Sequence, residues 1–167
     1  MQNRIYRNRK SSFASARDIK KISLEIDKLI EDDGGLGYKK LAISVFSHWL
    51  TAKEANVLLD NIPNNIERIR TIKLQQFIVS LCKKFDCYLI VDNGKRQVPE
   101  YKKVISKEQI KVSHSRMPNN GRVILIVPEL KIIYCENCDF THYFYYQDKK
   151  LLSRLENLVK KKGLHLI

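Results

Sequence analysis

The chain has 167 residues and a mass of 19.6 kDa, of which 44% are apolar and 29% charged, enough for one domain with its own core. Thirty-one Lys and Arg against eighteen Asp and Glu leave a net charge of +13; this favours a polyanionic partner, because each neutralised phosphate releases condensed counterions. No apolar run approaches the ~18 residues of a membrane span, and no apolar signal core follows the basic N-terminus, so a cytoplasmic protein away from membranes is expected.

Residues 1–14 have no apolar period and read as a flexible basic arm, with Arg4, Arg7, Arg9 and Lys10 as candidate phosphate contacts. Residues 15–167 read as a single α+β domain: a helical layer over 15–86, then a mostly antiparallel sheet covered by a C-terminal helix over 87–167. Ser15 stands three before Asp18 in a capping arrangement, and Ile19, Ile22, Ile26, Leu29 and Ile30 follow at helical spacing up to Asp32-Asp33-Gly34-Gly35. Leu41, Ala42, Val45, Phe46 and Trp49 predict a second helical face. Thr51 and Glu54 form a T-x-x-E box that opens a third helix. After the break at Pro63-Asn64-Asn65, Ile66, Ile69, Leu74, Phe77, Ile78 and Leu81 mark a long fourth one.

The pattern changes at Cys87. Tyr88 to Val91 reads as a strand, Asn93-Gly94 as a turn, and Val98 to Ile105 and Gln109 to Ser113 as weaker strands. Val123 to Val127 is continuously apolar, as in a strand buried on both faces. Leu130 to Tyr134 and Thr141 to Tyr146 read as a hairpin closed around Glu136-Asn137. Asp148 caps a last helix whose apolar face is Leu151, Leu152, Leu155, Leu158 and Val159; Gly163 suits its C′ position, and Lys160-Lys161-Lys162 complements its dipole. Leu164 to Ile167 reads as a short edge strand.

Four kinds of chemistry are written into this frame. Arg116 and Arg122 flank a Pro-Asn-Asn-Gly turn behind His114, with Lys107 and Lys111 before it, and together they suit a phosphate-gripping loop. With His142 as a second imidazole, His114 and Arg116 give a metal-free ribonuclease reading. Asp92, followed by Glu100-Tyr101-Lys102, resembles the PD-(D/E)xK nuclease arrangement, which implies two carboxylates on a divalent metal and a Lys polarising the attacking water. Cys82 and Cys87, spaced C-x4-C, and Cys135 and Cys138, spaced C-x2-C with His142 behind them, have the donor types of a structural zinc site; the alternative is four free thiols, two of them small hydrophobes of the core.

The aromatic crowd at 140–146 supplies the last candidate. Alternation puts Tyr143 and Tyr145 on one face of a strand and His142, Phe144 and Tyr146 on the other. One face lines the core, and the other offers rings for base stacking. The reading that follows is a non-enzymatic nucleic-acid-binding protein of DNA or RNA, of the kind carried by phages or mobile elements, without a cofactor. The alternatives are a small nuclease, or an inhibitor or adaptor docking a basic face on an acidic protein.

Overall fold

The computed structural model describes residues 37–60, 62–91, 100–104, 109–110 and 123–167. In chain order these form β1 (Lys39–Ser44), α1 (Ala52–Leu58), α2 (Asn64–Lys84), β2 (Tyr88–Val91), β3 (Glu100–Lys103), β4 (Ile124–Val127), β5 (Ile132–Cys135), β6 (Thr141–Tyr146), α3 (Lys149–Lys160) and β7 (His165–Leu166). The architecture is α+β. All seven strands join one sheet in the order β3-β2-β4-β5-β6-β1-β7, and every neighbouring pair is antiparallel. The arm at 1–14 and the helix expected over 15–31 lie outside the described residues.

The pleat sorts the side chains onto two faces. Leu41 and Ile43 of β1, Leu125 and Val127 of β4, Ile132 and Tyr134 of β5, and Phe144 and Tyr146 of β6 share one face by register. They form one cluster with Leu74, Phe77, Ile78 and Leu81 of α2 and Leu152, Leu155 and Val159 of α3. Phe77 is its hub, packing edge-on to Phe144 at 5.9 Å and tilted against Tyr134 at 6.4 Å. On the opposite face Ile126, Ile133, Cys135 and Tyr145 form a second, smaller buried cluster. The continuous apolar run of β4 is thus explained by burial on both sides.

The segment expected as a second helix is strand β1. Leu41, Ala42, Val45 and Phe46 do recur at helical spacing, but Leu41 and Ile43 also alternate. Pairing with β6 on one side and β7 on the other decides the outcome. Ser44 ends the strand: its Oγ accepts a hydrogen bond from the Phe46 amide at 3.1 Å and lies 2.8 Å from Thr141 Oγ1. Consequently helices do not simply precede strands. Gln109 and Ile110 are not in a strand; residues 111–113 lie outside the described set.

Other boundaries follow local chemistry. Thr51 and Glu54 make the expected capping box, and α2 begins directly after Pro63. The β5–β6 connection turns at Asp139-Phe140 rather than at Glu136-Asn137: both turn residues have positive φ, and the Thr141 amide donates to the Cys138 carbonyl at 3.1 Å. Arg70 holds Phe140 in place, with its guanidinium 5.4 Å from that ring and its Nη1 donating to the Leu58 carbonyl at 2.6 Å. Asp148 caps α3 by accepting from the Lys150 amide. At the far end Gly163 (φ +63°) donates to the Lys160 carbonyl and Leu164 to that of Val159, the two bonds of a Schellman motif.

Candidate nucleic-acid interface

Most exposed cations of the described residues lie on or at the ends of α2 and α3; Lys39, Lys53 and Lys131 are exposed elsewhere, and Lys73 and Lys162 are half-buried. On α2, the buried positions Leu74, Phe77, Ile78 and Leu81 face the sheet, which leaves Lys73, Ser80 and Lys84, at i, i+7 and i+11, in one stripe along the helix flank. The same geometry on α3 buries Leu152, Leu155 and Val159 and turns Arg154 and Lys161, at i and i+7, outward.

Two contacts fix how the stripes meet. Lys84 Nζ donates to the Arg154 carbonyl at 3.4 Å. Lys73 Nζ lies beside Gly163, where an added Cβ would stand 3.5 Å from it. Residue 84 beside 154 and residue 73 beside 163 make the helices antiparallel neighbours, with a cationic group at each end of the seam. At one end Lys84 and Arg154 stand over the Phe85 ring, at 5.3 and 5.1 Å from its centroid, and Arg154 also pairs with Glu129 at 2.6 Å. Lys83 and Lys150 extend this end. At the other end Lys73 joins Lys160, Lys161 and Lys162. The ends are eleven residues apart on α2, or ~16 Å at 1.5 Å per residue. Among the described residues no carboxylate pairs with Lys73, Lys83, Lys160, Lys161 or Lys162. The neutral Gln76, Ser80 and Asn157 lie between the two ends.

The residues singled out from the sequence are distributed differently. Arg4, Arg7, Arg9, Lys10, Asp92, Lys107, Lys111, His114, Arg116 and Arg122 lie outside the described residues. Glu100 and Lys102 sit on β3, which among the described strands is an edge strand paired with β2. The alternation at 141–146 holds, but its outcome for function is a correction. Tyr145 is buried in the second cluster and presents no ring to a base. Tyr143 is half-buried, and the Lys40 ammonium sits 4.1 Å from its ring centroid.

His142 is sequestered too. It is buried on the core face, hydrogen bonded through Nδ1 to the Tyr134 hydroxyl, and burial lowers its pKa from 6.5 to about 3. A neutral imidazole out of reach of solvent is placed to hold a phenol, not to exchange protons with a substrate, so its pairing with His114 as a ribonuclease acid and base is not supported.

Nor are the zinc donors brought together. Cys82 and Cys87 belong to the main core, whereas Cys135 belongs to the cluster on the other side of the sheet. No group of three or more His, Cys, Asp and Glu suited to a metal occurs among the described residues. None of the four cysteines is in a disulfide; burial first, and then the hydrogen bond with Cys82, push the Cys87 thiol well up, away from the reactive thiolate. Among the described residues no helix is long and apolar enough to cross a membrane.

The chain matches no protein-family model, no curated protein and no solved structure.

Proposed function

We propose that this protein binds nucleic acid without catalysing a reaction on it, chiefly through the phosphate backbone. The observation that carries the reading is the +13 charge together with the cations of the α2–α3 ridge, of which Arg154 alone is ion-paired to a described carboxylate, Glu129. A row of ammonium and guanidinium groups held by two packed helices loses little conformational freedom beyond its own side chains when it meets phosphates, and the counterions released supply the driving force. Arg4, Arg7, Arg9 and Lys10, and the segment carrying Lys107, Lys111, His114, Arg116 and Arg122, are proposed as additional contacts from their sequence chemistry.

The test is affinity for a labelled oligonucleotide across roughly 50–300 mM salt. A steep linear fall of log affinity with log salt is expected. A flat dependence, or no binding at low salt, removes the polyanion reading.

A further inference from the structure

We infer that the α2–α3 ridge takes a double helix, one cationic end against each wall of a groove, in preference to a single strand. This rests on the nucleic-acid reading above and names its substrate class. Three observations favour it.

The first is spacing. The cations are not evenly strewn along the seam but gathered at its two ends, Lys84 with Arg154 and Lys73 with Lys160, Lys161 and Lys162, ~16 Å apart along α2. A double helix presents its phosphates in just such separated rows, across the major groove of B-form DNA, about 12 Å wide, or the wide minor groove of A-form RNA. An extended single strand presents one closely spaced row, for which a continuous cationic track is the better match.

The second is what lies between the ends. Gln76, Ser80 and Asn157 are neutral, and Glu156 is the one carboxylate on the described residues of α3. Neutral hydrogen-bonding groups suit the span over a groove, where no phosphate stands.

The third is the aromatic inventory. Proteins that hold single strands stack the bases on exposed rings. The aromatic residue of this ridge, Phe85, is 4% exposed and lies beneath Lys84 and Arg154. Its role is to brace the two cations. Tyr134, Phe77 and Phe144 are inside the core. The described ridge therefore has cations for two backbones and no platform for a base; the exposed ring of Trp49 (59%) lies off it, in the connection between β1 and α1.

The experiment uses the full chain and fluorescence anisotropy with four labelled probes of one sequence: duplex DNA, duplex RNA and the two corresponding single strands. Heparin and poly-glutamate serve as competitors. One or both duplexes should bind about tenfold or more tightly than the single strands, and the two duplex arms identify which helical form is preferred. Lys73→Glu and Lys84→Glu, at opposite ends, should each lower duplex affinity several-fold and reduce the salt slope by ~1 or more, with both variants still folded at the assay temperature; Lys84→Glu also loses the bond to the Arg154 carbonyl and the contact with Phe85, so its melting temperature should fall modestly. Single strands binding as tightly as duplexes would overturn the inference while leaving the nucleic-acid reading intact. Duplex binding unaffected by either reversal would also overturn it, by moving the contact elsewhere on the chain. Binding of labelled poly-glutamate, with none of the four oligonucleotides bound, would overturn both and assign the ridge to an acidic protein.

Discussion

The helix pair α2–α3 presents two surfaces of opposite chemistry. Its inner surface lies on Phe144, Tyr134 and Ile132, and the polar groups caught there are neutralised: His142 is held uncharged, and the Tyr134 hydroxyl is bonded to it. Its outer surface carries Lys73, Lys84, Arg154 and Lys160 to Lys162, all charged and near water. The same helices that remove an imidazole from solution chemistry hold a row of cations in it. The lesson is that residue type misleads without its surface. His142, Tyr134 and Tyr145, whose side chains are suited to proton transfer and base stacking, are structural parts of the interior here, whereas the groups left at the surface of this helix pair are ordinary lysines.

The largest effect that separates the two surfaces is expected inside. Phe77→Ala deletes the ring against which Tyr134 and Phe144 pack and should cost about 3–5 kcal/mol in urea unfolding. Under conditions where the variant stays folded, its salt-dependent binding should match the parent. A change in the salt slope would show that the core shapes the outer surface.

Acid sharpens the contrast next. His142 binds its proton with a pKa of about 3 in the folded state against 6.5 as the unfolded reference. Between these values the unfolded chain holds more protons, so the stability due to a neutral His142 is fully present above pH 6.5 and is lost as pH falls toward 3. The slope approaches about 1.4 kcal/mol per pH unit within that window, or about 2 kcal/mol between pH 6.5 and 5. Urea titrations at several pH values should show this loss, and His142→Gln should flatten it. An equally steep loss in the Gln variant would place the titrating group elsewhere.

Smaller effects are expected at the seam between the surfaces. Gly163→Ala forces a side chain into the left-handed conformation that closes α3 and should cost about 1–2 kcal/mol in a thermal or urea melt. An added Cβ meets only ordinary contact with Lys73, so the backbone, not crowding, sets this value. The smallest changes in stability belong outside: Lys83→Ala or Lys160→Ala should shift it by no more than about 0.5 kcal/mol while lowering the salt slope by ~1 if each meets a phosphate.

Much of this fold is legible along the chain. The capping box at Thr51 and Glu54, the long apolar stripe of α2, the doubly buried β4 and the glycine end of α3 are local signals, and local physics decides them. β1 is not legible as a strand, because what makes it one is its pairing with β6 and β7, and a window of neighbouring residues contains neither. The ridge is hidden for the same reason. Lys73, Lys84, Arg154 and Lys161 are scattered over two helices and become one surface only when those helices pack antiparallel. The stripe at 73, 80 and 84 and the triple lysine at 160–162 are its signals along the chain. Taken locally, the triple lysine answers to the helix dipole, and nothing in its neighbourhood joins it to α2. Tyr145 shows the converse: alternation assigns its face correctly but does not reveal that both faces of a sheet are covered.

The place of β1 in the sheet also has a consequence for how the chain is made. Ser44 and Thr141, bonded side chain to side chain at one end of the strand, are 97 residues apart. A ribosome adding ~5–20 residues per second releases Lys39–Ser44 several seconds before either strand that will flank it exists. Until then the apolar Leu41, Ala42 and Ile43 have no ladder, and the two lysines at the head of the strand, Lys39 and Lys40, act as gatekeepers against pairing with the same segment of a neighbouring nascent chain. Closure of the sheet is thus a late, long-range event, in which the earliest described strand is locked in by the last.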